Sequence, residues 1–387
     1  LTRDPLATAY FYREDGNPKP VGHTLENPEY ADTLRSLAAL GPTPFYEGPI
    51  AENIVTAVRN DPNVPGSMTR EDLKSYAVIE RNPVCAPYRS YRICGMGEPS
   101  SGGLTSLMIL GMIERFPVPE WQDNKIQAWH VYLEASKLAF ADRNRYMADP
   151  DYVTTPGTRL LDPEYLDHRS RMIRLDGVMD KPAPGIPPHW PPEDDKADDT
   201  SPEGKGTTHI IAIDREGNIV TWTSTIESAF GARRMTPDGY LLNNELTDFS
   251  FRPEKDGRKV LNRLQGGKRP RSSMAPTLVF GGDGEPVAAI GSAGGSRIIG
   301  YVTQRLIAML DWNMDLREAV SMPSLLSRGQ GAEIEKGAED VASELEEMGH
   351  KVRMDTMTSG LTAIRIQNSD AIDGAADPRR EGVALGH

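Results

Sequence analysis

The sequence predicts an α+β protein in which antiparallel sheets are covered by helices. Three observations lead there: helical segments fill the first part of the chain, strand–turn–strand stretches follow a Pro/Asp-rich interruption, and helices return after them. Helices are expected at about 29–40, 48–60, 70–76, 104–116 and 123–147, where apolar residues recur at three- and four-residue spacing, as in LTSLMILGMIERF. VCAPYRSYRICGM interrupts them as a hairpin turning about Arg89 and Ser90, which sets Cys85 opposite Cys94. Two readings of this pair stay open. One is a disulfide, which would argue for an oxidising compartment; the other is two buried free thiols.

Residues 176–206, DGVMDKPAPGIPPHWPPEDDKADDTSPEGKG, hold seven prolines and a run of acids. Such a stretch suits neither a helix nor an inner strand, and reads as a long exposed linker of the functional or cleavable kind. After it, THIIAIDREGNIVTWTSTI is expected as two strands about a turn at REGN. PTLVFGGDGEPVAAIGSAGG repeats the design with its turn at GGDGEP. Helices follow at about 297–311, 315–321 and 336–349, and KVRMDTM with LTAIRIQ suggests a closing strand pair.

Composition narrows the function. With 38% apolar residues among 387, the chain can bury one large core or two ordinary ones. The 43 basic residues against 56 acidic ones, net −13, are spread along the chain, which disfavours nucleic acid as a partner. No apolar run reaches the roughly 18 residues of a membrane helix. The opening LTRDPLATAYFYRED carries neither Met nor a signal pattern, so a removed targeting segment or a fragment of a longer chain is expected. No cofactor or metal is expected. CxxC and Cys/His spacings are absent, and HVYLE, with His130 and Glu134, is not HExxH.

One short stretch suggests chemistry: GKGTTHIIAID, residues 204–214. A Thr hydroxyl needs a base, and one solution is the residue's own α-amine, whose pKa of about 7.7–8 suits work near neutrality. That amine must first be released by cutting the preceding bond. Gly206 leaves the carbonyl unshielded, so Thr207 can attack it to give an ester that water opens. The plainer reading is a polar strand opening after a loop. In VTWTSTI, alternation puts Thr221, Thr223 and Thr225 on one face, so Thr225 can hydrogen-bond Thr207; a β-branched ladder explains the same pattern. In GSAGGSRIIG, Gly294 and Gly295 lie between a strand and a helix, where their N–H groups can form an oxyanion hole; the rival is a phosphate-binding turn, for which GxxxxGK[ST] and GxGxxG are both missing.

These pieces, with GYLLNNELTDFS, KRPRSSMAPT, DGAADPRREG, GMGEPSSGG and HVYLEASKLAFADRNRYMADPDY, occur in family order across nearly the whole chain. Together they resemble the γ-glutamyltranspeptidases, N-terminal-nucleophile hydrolases made as precursors and cut into large and small subunits. The resemblance implies an αββα sandwich, with 1–206 the end of the large subunit and 207–387 the small one. It implies Thr207 as nucleophile after cleavage from Gly206, Thr225 orienting it, and Gly294 and Gly295 holding the oxyanion. Ser272 and Ser273 would bind the α-carboxylate of a γ-glutamyl group, and Glu227, Glu245 and Asp248 its α-ammonium, which agrees with the charges. The implied reaction is γ-glutamyl amide cleavage, with glutathione the leading substrate. Water or an amino-acid or peptide acceptor takes the acyl group, and the location is periplasmic or secreted. Members also have a stretch ahead of Leu1, supplying part of the sandwich and a carboxylate-binding Arg.

Two departures bear on specificity. Many members carry Asn at Glu227, and many bacterial ones Gln at Glu245. FRPEKDGRKVLNRLQGG is shorter than the lid some members have and lacks its Tyr, so hydrolysis is expected to be favoured over transfer. The rivals are a glutaryl or cephalosporin acylase of the same fold, an uncleaved ligand-binding homologue, and a phosphate-binding module on GSAGGSR. His209 is expected to be structural, and Asp142 and Arg143 to form an internal ion pair.

Overall fold

The computed structural model describes residues 1–191, 195–201, 204, 206–368 and 371–386. The part of the expected linker at 192–194, 202, 203 and 205 lies outside the described residues. The chain divides into two compact units. The first is Leu1–Arg81 with Ile226–Glu245, and the second is Asn82–Thr225 with Leu246–His387.

The first unit is helical: α1 (Pro5–Phe11), α2 (Pro28–Leu40), α3 (Thr43–Tyr46), α4 (Pro49–Arg59) and α5 (Arg70–Lys74). Four of the five begin with Pro in the first turn, where its missing N–H costs nothing, and Asp4 and Asn27 cap α1 and α2 through their side chains. The 226–245 segment folds against them. Arg234 pairs with Asp4 and Asp61, each at 2.8 Å, and Asn53 Nδ2 donates to Asp238 Oδ1 at 3.0 Å.

The second unit starts with a hairpin, β1 (Val84–Tyr88) and β2 (Tyr91–Gly95), in which Cys85 faces Cys94 and the two are joined as a disulfide. Arg89, at φ 54°, makes the turn. Then come α6 (Gly102–Ile113), α7 (Lys125–Tyr146) and α8 (Pro163–Ser170), followed by β3 (Lys196–Ala197), β4 (Gly206–Ile213) and β5 (Ile219–Glu227), whose last two residues count with the first unit. The FRPEKDGRKV stretch forms a small hairpin, β6 (Glu254–Lys255) and β7 (Arg258–Val260), turning at Asp256–Gly257 with both φ positive. The chain closes with β8 (Thr277–Phe280), β9 (Pro286–Gly291), α9 (Arg297–Leu310), α10 (Leu316–Ser321), β10 (Leu325–Leu326), β11 (Ala332–Glu335), α11 (Glu339–Glu347), β12 (Val352–Asp355), β13 (Thr362–Asn368) and β14 (Ala371–Ala376).

Its main sheet is six-stranded and antiparallel, in the order β1-β2-β8-β9-β13-β14. Helices cover one face. Every residue of α6 is buried, and α6, α9 and α10 pack on the strands. Ala288 and Ile290 of β9 join this core with Ile298, Val302 and Leu306 of α9, and each large buried side chain contributes about 1.5–3 kcal/mol. The alternate residue Gly291 points to the other face, where β4 packs across β9 and β13. The order of layers is thus helix, sheet, then the β4–β5 ribbon. The ribbon's far side carries exposed Ile210, Val220 and Trp222.

One expected pairing is different. KVRMDTM and LTAIRIQ are not partners: β12 lies parallel to β11 in a three-stranded sheet, whereas β13 joins the main sheet between β9 and β14. The reason is α11, which returns the chain to the same end of β11, and a crossover of this kind makes parallel neighbours. The 176–206 stretch also holds fixed chain. Tyr146 donates to the Gly185 carbonyl at 2.6 Å, and β3 pairs in parallel with β7 as an edge strand.

Candidate active site

Thr207 lies at the start of β4, and strand alternation gives it one face with His209. The opposing face of β5 offers Thr221, Thr223 and Thr225. His209 is buried: its Nδ1 lies 2.8 Å from Thr223 Oγ1 and its Nε2 3.2 Å from Thr221 Oγ1. The imidazole stands directly over Gly291, where an added Cβ would come within 2.1 Å of the ring, so only glycine lets ribbon and sheet approach. Burial lowers the His209 pKa to about 4, so the ring is neutral at pH 7 and serves as a strut.

At the open end of the ribbon, Thr207 Oγ1 donates to Thr225 Oγ1 at 3.3 Å, and Thr225 Oγ1 donates to the Gly206 carbonyl oxygen. One hydroxyl therefore touches both the candidate nucleophile and the carbonyl ahead of it. The Thr207 carbonyl accepts from Arg380 Nη1 at 3.0 Å. Arg380 was not singled out in the sequence; its only signal was its place in DPRREG.

Gly294 and Gly295 connect β9 to α9 with φ 135° and 60°. A Cβ at Gly294 would lie 2.7 Å from Tyr301, so backbone and packing both demand glycine there. Gly360 packs between this loop and Arg380, because a Cβ on it would sit 3.1 Å from both Ala293 Cβ and Arg380 Cδ. Beneath the loop, Arg297 is fixed by Glu333 at 2.6 Å and by Asp355.

Ser272 and Ser273 form a second cluster. The Ser272 N–H donates to the Pro99 carbonyl at 3.1 Å, and its carbonyl accepts from the Ser101 N–H at 2.8 Å. Ser273 Oγ accepts from Arg143 Nη2 at 2.6 Å, while Arg143 Nε donates to Ser101 Oγ at 2.8 Å. This corrects the expected ion pair. Asp142 pairs with Arg169 at 3.2 Å and accepts from Tyr165 and the Gly185 N–H, whereas Arg143, one helix position on, turns to the serines. Neighbouring helix residues point about 100° apart, which explains the split. Asp248 closes a single helical turn, and its carbonyl accepts from Asn262 Nδ2 at 2.7 Å.

Glu227 and Glu245 fall in the first unit. Glu227 is buried at φ 72°, unusual for a Glu, and its Oε2 accepts from Ser228 Oγ at 2.7 Å and from Asn244 Nδ2. The Glu245 N–H donates to Asn243 Oδ1 at 2.9 Å. His130 and Glu134 have interior partners: His130 meets His350 at 2.8 Å and Glu134 pairs with Lys137 at 2.6 Å. A cavity of about 350 Å³ is lined by Asp198, Thr200, Ser201, Ser250, Phe251, Arg252, Lys255 and Val260, and includes none of the ribbon threonines.

The profile of the family described as Gamma-glutamyltranspeptidase matches residues 1–387. The chain belongs to that family. It is 35% identical over 384 residues to the glutathione hydrolase proenzyme of Bacillus subtilis (strain 168), with 96% of this chain and 63% of that protein covered. It is 32% identical over 388 residues to the acylase ACY 1 proenzyme of Pseudomonas sp. (strain V22), with 100% of this chain and 65% of that protein covered. The solved cephalosporin acylase from Bacillus halodurans superposes with a TM-score of 0.83 at 24% identity, covering 99% of this chain and 68% of that one. The fold is thus the α+β fold of the N-terminal-nucleophile hydrolases. The chain spans about two thirds or less of the curated relatives it matches, 63% in the first case.

Proposed function

We propose that this γ-glutamyltranspeptidase-family chain carries the nucleophile of a self-processing γ-glutamyl amide hydrolase and transferase, with Thr207 as that nucleophile. The observation that supports it most is the contact of Thr225 Oγ1 with both Thr207 Oγ1 and the Gly206 carbonyl oxygen. In self-cleavage Thr207 Oγ1 bonds to the Gly206 carbonyl carbon, the C–N bond breaks, and the hydroxyl proton ends on the departing Thr207 nitrogen. Thr225 donates to the oxygen as charge develops on it. Water then opens the ester, leaving a Gly206 carboxylate and a free Thr207 amine and hydroxyl.

That amine is the general base for turnover. A γ-glutamyl amide is attacked at its γ-carbonyl, and the N–H groups of Gly294 and Gly295 hold the oxyanion. The departing amine takes the proton, and the γ-glutamyl-Thr207 ester passes to water or to an amino-acid or peptide amine. Ser272 and Ser273 take the α-carboxylate. Glu227, Glu245 and Asp248 take the α-ammonium, whose acid-rich surroundings favour a γ-glutamyl over a glutaryl group. The short β6–β7 hairpin, which lacks a Tyr, favours water over transfer. Glutathione is the leading substrate. The two fragments remain together as a heterodimer, and the Cys85–Cys94 bridge supports a periplasmic or secreted location. Among the described residues no helix is long and apolar enough to cross a membrane.

The test is intact-mass analysis under denaturing conditions of the full-length protein and its Thr207→Ala variant, with γ-glutamyl-anilide and glutaryl-anilide turnover alongside. Two fragments split at Gly206/Thr207 in the wild type, one chain in the variant, and preference for the γ-glutamyl anilide are expected. An intact wild type without turnover overturns the proposal, and preference for the glutaryl anilide turns it to the acylase reading.

A further inference from the structure

The Pro/Asp-rich stretch before Gly206 contains a short run that is anything but free. Ala197 and Asp199 are 1% and 3% exposed. Lys196 and Ala197 lie beside Lys259 and Val260 as a parallel pair. Asp199 Oδ2 accepts from Asn262 Nδ2 at 2.9 Å and from Arg271 Nη2 at 3.2 Å, its Oδ1 accepts from the Ser201 N–H at 3.1 Å, and its own N–H donates to the Asn144 carbonyl at 2.9 Å. On either side, Arg145 Nε donates to Asp198 Oδ1 at 2.6 Å and Ser201 Oγ accepts from the Phe251 N–H at 3.0 Å. Burial alone would push the Asp199 carboxyl up, but Arg271, Asn262 and Ser201 outweigh it and hold it below the usual carboxylate value.

A buried carboxylate is costly unless fully paired, so a linker with no task in the folded chain would not be expected to keep one. The partners are telling. Arg271 directly precedes Ser272, and Asn262 Nδ2 also donates to the Asp248 carbonyl. We propose that residues 196–201 are a clamp that fixes the upstream arm of the Gly206–Thr207 bond, with Asp199 the positioning residue that sets the rate of self-cleavage. The inference rests on the self-processing reading above.

Asp199 lies seven residues before Gly206. Trp190, packed on Tyr146, is an anchor upstream of the clamp, sixteen residues before Gly206. Freeing the clamp moves the nearest upstream anchor from Asp199 back to Trp190, and the Gly206 carbonyl then loses orientation toward Thr207 Oγ1, which the attack needs. Asp199→Asn is nearly isosteric, yet both carboxylate oxygens accept from N–H donors, so either orientation of the amide sets its NH₂ against a donor.

The experiment follows first-order conversion of the full-length precursor to two fragments in wild type, Asp199→Asn, Arg145→Gln and Asp180→Asn, the last an exposed acid of the same stretch. After complete conversion, γ-glutamyl-anilide kcat/KM and Tm are measured for each. The clamp predicts conversion slowed at least threefold in Asp199→Asn and less in Arg145→Gln, with Asp180→Asn at the wild-type rate and kcat/KM of all cleaved forms within twofold. Arg145→Gln empties no buried carboxylate, so it reports even where Asp199→Asn fails to fold. Wild-type conversion rates in both clamp variants overturn the clamp and leave the self-processing reading intact. Equal losses in conversion and turnover with a lowered Tm also overturn it, making Asp199 a stability residue. A wild type that stays one chain overturns both inferences.

Discussion

Replacing Thr225 by Val removes one hydroxyl and keeps the side chain's shape. In the native ribbon that hydroxyl donates to the Gly206 carbonyl and accepts from Thr207 Oγ1 at 3.3 Å, a long contact of the sort that tightens as charge develops. Losing one donor to a developing oxyanion typically slows a reaction by about 10²–10³, or roughly 2.7–4 kcal/mol of barrier. The native state loses far less, about 1 kcal/mol for one half-buried hydrogen bond. The assay is a denaturing time course of precursor conversion after rapid purification, with circular dichroism confirming the fold. Thr225→Val should convert about 10²–10³ times more slowly than wild type, and Thr225→Ser should stay within about tenfold because it keeps the donor. A folded Thr225→Val protein converting within fivefold of wild type would refute the reasoning and put the carbonyl's polarisation elsewhere.

Other outcomes follow from the same geometry. Gly294→Ala must fit a Cβ at φ 135° and 2.7 Å from Tyr301, so a Tm drop equivalent to about 1–3 kcal/mol is expected along with lost turnover. His209 has a native pKa of about 4 against about 6.5 unfolded, so its contribution is complete above pH 6.5 and is lost as pH falls toward 4. Denaturant unfolding should lose about 3 kcal/mol over that window, and His209→Asn should flatten the slope. Replacing Cys85 and Cys94 by Ser opens a loop of sequence separation 9 and should lower stability by about 2–3 kcal/mol by loop entropy, with reductant mimicking the change in wild type.

Most helices were legible because each stands on a local pattern. The expected 48–60 and 297–311 appear as Pro49–Arg59 and Arg297–Leu310, and REGN and GGDGEP do turn their hairpins. What local pattern does not hold is partner choice. Val352–Asp355 looks like a strand in sequence, but only the helix before it decides that it runs parallel to Ala332–Glu335. The same holds for charged side chains. Arg143 and Asp142 are adjacent in sequence, yet their partners come from 101, 273 and 169. Asp199 looked like one more solvated acid in a linker, because its Arg271 and Asn262 partners are more than sixty residues away. The ribbon threonines were legible since alternation alone sets their face; Arg380 was not, as nothing near it in sequence points to Thr207.

The ribbon has a kinetic consequence of its own. Gly206, Thr207 and Thr225 lie in one strand pair of one chain, with the two threonines only 18 positions apart. A bond broken by that set is broken within a single molecule. Its half-time should be the same at nanomolar and micromolar protein, untouched by dilution, and an inactive Thr207→Ala chain mixed with wild type should stay whole.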